Sequence, residues 1–133
     1  MNEWLPKFKG ENLRAEIEKS TAGLTYISET DAAVEPFSGG KADVVEIEHV
    51  TTATRHEEMV PRDFFSRLTA DRDWYGAAQK EIARRYASLE KLLEENLRDL
   101  KVFKIGRIRI EIYIVGLDAE GNLVGIKTKA VET

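Results

Sequence analysis

Two histidines and a few of the 24 aspartates and glutamates are the candidate side chains for acid–base or metal chemistry in this 133-residue sequence. His49 and His56 match no common metal-binding spacing, and the chain has no cysteine that could complete a site. The absence of cysteine also excludes disulfides and thiolate chemistry. We therefore predict that the protein needs no cofactor and holds no metal ion by itself.

Three glutamates form a second candidate site, because paired carboxylates can act as general acid and general base. Glu46 and Glu48 would share one face of a strand, with Glu111 on a neighbouring strand. The same pattern is typical of the solvated face of an antiparallel sheet, and no nucleophile or anion-binding motif accompanies it. A small hydrolase that uses these glutamates remains one hypothesis. Because no second signal supports it, we predict that the protein is not an enzyme.

The C-terminal residues offer a different chemistry, since Thr133 brings a hydroxyl and, where the chain ends, a carboxylate. Gly121 and Asn122 can form the turn of a hairpin whose second strand runs from Leu123 to about Val131. The first strand has an aliphatic residue at every second position: Ile108, Ile110, Ile112 and Ile114. We expect the chain to end inside this hairpin and to present oxygen ligands, which hard cations prefer, from a rigid tip.

The acidic composition bounds the possible partners. A net charge of −4 disfavours sequence-independent binding of nucleic acids and favours a basic partner. No phosphate-binding glycine motif is present, the N-terminal residues are too polar for a signal peptide, and no apolar run approaches the ~20 residues that span a bilayer. We predict a cytoplasmic protein that binds neither nucleic acid nor membranes.

Helix and turn signals organise the first half of the chain. The spacing of apolar residues predicts a helix over residues 11–21, followed by a short extended run and a polar turn at residues 28–31. Because Pro36 and two adjacent glycines interrupt it, we expect the segment 32–42 to be irregular. Alternating apolar and acidic residues predict a strand over 44–50.

The second half contains the longest helix. We predict a short helix with Asp63 as its N-cap, and a long helix that Asp73 caps and that ends near Leu100. Its apolar stripe comprises Ile82, Tyr86, Leu89, Leu93 and Leu97. A brief strand over 101–104 leads into the C-terminal hairpin. Helices must cover the aliphatic face of the sheet, so we predict a single-domain α/β/α sandwich with a mainly antiparallel or mixed sheet.

Trp74 follows Asp73 at the predicted start of the long helix. A tryptophan at this position can pack against the first turn of the helix. It can also be an interface anchor, because tryptophan is enriched among the residues that dominate protein–protein binding. The pattern of residues leaves both interpretations open.

Several short strings, mostly in the second half of the chain, resemble the nuclease A inhibitor family, the NuiA-like proteins. The strings that agree in order are Asp63–Thr69, Asp73–Tyr75 and Val115–Thr133. Weaker matches at Gly23-Leu24 and Ser28-Glu29 extend the resemblance towards the N-terminus. We therefore predict an inhibitor-like domain over 11–133 and an N-terminal extension over 1–10.

This resemblance implies an inhibitor with an α/β/α sandwich fold. Such inhibitors bind non-specific DNA/RNA endonucleases of the ββα-metal type, so the implied partner is a nuclease, bound by a monomer in a 1:1 complex. The positions that carry over are Thr133 at the catalytic metal of the bound nuclease, Glu29 at its active-site region, and Asp73 and Trp74 as additional contacts. An interaction module of the same fold with a non-nuclease partner is the alternative, because residues 31–60 match the family poorly.

Overall fold

The computed structural model describes residues 4–53 and 55–133, so the first three residues of the predicted extension lie outside the described residues. The helices are α1 (Gly10–Thr21), α2 (Ile47–Val50), α3 (Pro61–Leu68) and α4 (Ala77–Asn96). The strands are β1 (Thr25–Ile27), β2 (Asp31–Ala33), β3 (Glu35–Lys41), β4 (Glu57–Met59), β5 (Arg98–Ile105), β6 (Arg109–Leu117) and β7 (Asn122–Val131). Among the described residues, no helix is both long and apolar enough to cross a membrane.

Five strands form an antiparallel sheet in the order β3-β7-β6-β5-β4, and β1 and β2 form a separate antiparallel pair. The C-terminal hairpin, β6 and β7, therefore lies in the middle of the sheet. Its turn contains Gly121 with a φ of +82°, a conformation that glycine adopts without strain. The predicted hairpin and the mainly antiparallel sheet of a single α and β domain are confirmed.

Each face of the sheet packs against helical structure. Helices α1, α3 and α4 cover one face, where Ile110, Ile112 and Ile114 are buried. A smaller core lies on the other face, under α2 and the chain that precedes it. Its buried members are Val45, Ile47, Phe103, Val115, Leu117 and Leu123. The sheet is thus enclosed from both sides over part of its area.

The prediction that residues 32–42 are irregular is wrong, because this segment forms β2 and β3. Pro36 is tolerated because β3 is an edge strand that has a neighbour, β7, on one side only. The two glycines lie where the register between β3 and β7 shifts, between Ser38 and Lys41. An edge strand with an irregularity thus produced the sequence signals of a loop.

The predicted strand over 44–50 is also wrong, since this segment contains the short helix α2. The backbone of Val45 is held by side chains of β5 instead of by a neighbouring strand. Its N–H donates to Asp99 Oδ2 at 2.9 Å, and its carbonyl accepts from Lys101 Nζ at 2.8 Å. The alternating apolar residues mark contacts with the second core rather than a strand face.

Both predicted aspartate caps are wrong. Helix α3 has Val60 as its N-cap and a proline at its first position, which is favourable because proline lacks the N–H that would be unpaired there. Asp63 lies in the first turn of α3, where its negative charge interacts favourably with the helix dipole. Helix α4 starts only at Ala77, after the Asp73 turn, and ends at Asn96 because β5 begins at Arg98.

Candidate functional site

Two of the residues predicted to bind a partner meet at the end of β7. The hydroxyl Oγ1 of Thr133 donates a hydrogen bond to Glu29 Oε1 at 2.6 Å, although the two residues are 104 positions apart in the chain. Both residues are exposed. We call this pair the tip. It joins a carboxylate and a hydroxyl in one solvent-facing group of oxygen atoms.

Backbone hydrogen bonds on both sides of the chain hold the tip. On the β6 side, the N–H of Glu132 donates to the carbonyl of Ile108 at 2.9 Å, which continues the pairing past the last strand residue. On the other side, β3 pairs with β7 only as far as Lys127. The turn after β1 takes over there, because the N–H of Glu29 donates to the carbonyl of Val131 at 3.2 Å.

Ser28 is a site residue that sequence reasoning missed. Its Oγ accepts a hydrogen bond from the N–H of Val131 at 3.0 Å and donates one to the carbonyl of Thr30 at 3.1 Å. One hydroxyl thus closes the turn that carries Glu29 and fastens this turn to β7. The available signal was a serine in a polar cluster, which indicates a turn but not its attachment to a distant backbone amide.

Buried tyrosines support the strand that leads to Glu29. Tyr26 stacks on Phe64 of α3, with ring centroids 5.8 Å apart, and the Tyr86 hydroxyl of α4 donates to the carbonyl of Thr25. Burial raises the pKa of both tyrosines, so both hydroxyls stay neutral at physiological pH. The positive charge of Arg67 lowers the pKa of Tyr26 and the negative charge of Glu132 raises it, both by less than burial does.

Asp73 and Trp74 form a turn before α4 and make no described hydrogen bond or ring contact with the tip. The Trp74 side chain is 76% exposed and contacts only its neighbour among the described rings, Tyr75, at 4.7 Å between centroids. A tryptophan this exposed does not pack against the helix start. The packing interpretation is therefore unsupported, and Trp74 is available for contact with another molecule.

The topology places this turn at the tip end of the molecule. Helix α4 connects directly to the start of β5 and packs against this strand. The start of β5 lies at the same end of the sheet as the start of β7, far from the end of β7. At about 1.5 Å per residue, the 20 residues of α4 extend roughly 30 Å, about the length of the sheet strands. The N-terminal half of α4, which Trp74 precedes, therefore points towards the end of the sheet at which β7 finishes, and Tyr86 in this half bonds to the start of β1.

The remaining candidate residues do not converge. His49 Nδ1 lies 3.1 Å from the carbonyl of Val44, and His56 packs edge-on against Phe103. Glu46 and Glu48 do not share a strand face, because they flank the start of α2, and both are exposed. No group of three histidine, aspartate or glutamate side chains suited to a metal ion occurs within residues 4–53 and 55–133.

Comparison with known proteins identifies a family that matches most of the chain. The profile of a protein family described as nuclease A inhibitor-like protein matches residues 11–133. This range includes both members of the tip, the serine that fastens it and the exposed tryptophan turn. A search of curated proteins found no match to the chain.

Proposed function

The chain belongs to the nuclease A inhibitor-like family, and we propose on this basis that it inhibits a non-specific endonuclease of the ββα-metal type by covering the active site with its tip. The observation that supports this proposal is the hydrogen bond between Thr133 and Glu29. The family resemblance pointed to these two residues separately, and although 104 positions separate them in the chain they form one oxygen-rich group.

The geometry of this bond suits a cation ligand. Because the hydroxyl proton of Thr133 points at the Glu29 carboxylate, the lone pairs of Oγ1 are free to face outwards. A nearby negative charge makes that oxygen a better donor to a hard cation such as Mg²⁺, which binds oxygen ligands and keeps open positions in nuclease sites. Glu29 retains a second carboxylate oxygen for an arginine of the nuclease.

The fixed position of the tip favours tight binding. The N–H groups of Glu132, Glu29 and Val131 donate hydrogen bonds to Ile108, Val131 and Ser28, and these bonds hold the end of the chain before any partner arrives. An ordered segment loses less conformational entropy on docking than a loose tail. Most of the free energy of the new contacts then contributes to affinity, because little of it is needed to offset the entropy lost when the chain is ordered.

Several further features belong to the same proposal. We propose that Asp73 and Trp74 add contacts outside the metal site, that residues 11–133 are the inhibitory domain and residues 1–10 an extension, and that a monomer binds one nuclease in the cytoplasm. In this account the protein performs no catalysis and needs no cofactor. The exposure of Trp74 at the tip end supports its assignment to the interface.

The direct test is the digestion of DNA by a Mg²⁺-dependent non-specific endonuclease with increasing amounts of the protein. Deletion of Thr133, and separately Glu29→Gln, should each weaken inhibition by more than about tenfold, or about 1.4 kcal/mol. Glu120→Gln is the matched control, because Glu120 is an exposed glutamate in the turn at the opposite end of the same hairpin. Equal inhibition by all four proteins would refute the role of the tip.

A further inference from the structure

Two large apolar side chains near the tip are exposed to solvent. Ile27 at the end of β1 is 63% exposed, and Ile108 just before β6 is 58% exposed. The isoleucines at alternate positions after Ile108 behave differently, since Ile110, Ile112 and Ile114 are buried under the helices. The alternating row of isoleucines thus continues one residue before β6, to a side chain that is exposed.

The segments that carry these isoleucines lie on the two sides of the end of β7. The end of β7 lies between β6 and the turn that follows β1. On the β6 side, the carbonyl of Ile108 accepts the hydrogen bond of Glu132, the residue before Thr133. On the other side, Ile27 is two residues from Glu29, a distance of about 7 Å along an extended chain.

A stable interface centred on the tip is wide enough to include both residues. A standard interface buries about 800 Å² per partner, which corresponds to a disc of roughly 16 Å radius. Ile27 and Ile108 are each tied to a residue of the tip region by strand geometry or a backbone hydrogen bond. An interface of this size centred on Thr133 therefore extends to the segments that carry both side chains.

We propose that Ile27 and Ile108 form an apolar collar around the tip that packs on the nuclease surface bordering its metal cleft. This inference rests on the proposed function and adds the partner surface, which must be apolar on both sides of the cleft. The collar excludes water from the contact. Charged interactions between Thr133, Glu29 and the nuclease are then stronger than in open solvent.

The collar is tested by Ile27→Thr, Ile108→Thr and the double variant. Threonine keeps the β-branched shape that suits a strand and removes apolar surface. Each single variant should weaken inhibition about fivefold and the double variant about 25-fold, mainly through faster dissociation. The loss should be the same at low and high salt, whereas the loss caused by Glu29→Gln should shrink as salt rises.

Val60→Thr is the control, because Val60 is an equally exposed apolar residue, at 61%, in front of α3 and away from the collar. It should inhibit like the unaltered protein. If the unaltered protein inhibits and both isoleucine variants inhibit equally well, the proposed role of the collar is wrong and the proposed role of the tip is unaffected. If the unaltered protein inhibits no such nuclease, the proposed function fails and the collar fails with it.

Discussion

Ser28 joins the turn that carries Glu29 to the last residue of β7. Its Oγ is the acceptor for the Val131 N–H, an edge amide beyond the reach of β3. Without the hydroxyl, this N–H would have to donate its hydrogen bond to water, and the turn would lose one of its two hydrogen bonds to β7. The position of Thr133 therefore depends on a residue that need not touch the partner.

Ser28→Ala should loosen the tip without unfolding the protein. We expect faster hydrogen exchange at the amides of Val131 and Glu132, inhibition about tenfold weaker, and little change in the thermal midpoint of unfolding. Ser28→Thr keeps the hydroxyl and should restore both exchange and inhibition. Unchanged exchange at Val131 in the alanine variant would show that Ser28 does not hold the tip.

The sequence predicted which residues form the tip but not the contacts that they make. Glu29 and Thr133 could be named from the family resemblance and from the terminal hydroxyl. Their hydrogen bond could not, because 104 residues separate them and the bond depends on how β1 lies beside β7. The role of Ser28 could not be predicted either, since its acceptor function is directed at a backbone amide, which carries no sequence signal.

The hairpin that carries the tip depends on close contact between β6 and β7. Gly125 is buried in β7 opposite Val115, and a Cβ atom there would overlap the carbonyl oxygen of Ile114. The backbones approach so closely that no side chain fits between them. This glycine is therefore required by strand packing and not by a turn.

Gly125→Ala should lower the free energy of unfolding by about 3 kcal/mol, because the strands must separate to admit the methyl group. Urea denaturation measures this loss. Gly40→Ala is the control, since a Cβ atom on Gly40 meets no atom within 4 Å. Similar stability changes for the two variants would contradict the close approach of β6 and β7.

Helix α4 contains a carboxylate whose protonation couples to folding. Burial raises the pKa of Glu90, the charge of Glu94 one turn later raises it further, and Arg62 of α3 lowers it. The folded protein therefore binds this proton more readily than the unfolded chain, whose glutamate titrates near pH 4.3. The ionised side chain opposes folding once the pH exceeds the folded-state pKa.

Glu90→Gln should stabilise the protein at pH 7, and the gain should disappear below about pH 4, where Glu90 is protonated in both states. Urea denaturation of the two proteins at pH 7 and at pH 3.5 gives the difference directly. A gain of equal size at both pH values would mean that the charge of Glu90 is not its cause.

The elements were predicted unevenly, for physical reasons. Long periodic patterns identified α1, α4 and the C-terminal hairpin, because most of their apolar residues at the expected spacing face the larger core. Residues 32–50 were misassigned because β3 is an irregular edge strand and because Val45 is held by side chains of Asp99 and Lys101. Neither circumstance leaves a periodic pattern in the local sequence.

The architecture of the whole molecule followed from the rule that apolar faces must be covered. An aliphatic sheet face and an amphipathic α4 implied layers, and the structure has α1, α3 and α4 on one side and the small α2 on the other. The arrangement brings the end of β7, the turn after β1 and the turn before α4 to one end of the molecule. This common end could be seen only once the strand order was known.

The central claim is that Thr133 reaches the metal ion of a nuclease. The measurement that tests it most directly is the affinity of the unaltered protein and of the Thr133 deletion for the same non-specific endonuclease with Mg²⁺ bound and with the metal removed. If Thr133 is a ligand, removal of the metal should weaken binding of the unaltered protein by at least about tenfold and leave the deletion variant nearly unchanged. An equal response of the two proteins to the metal would contradict the claim.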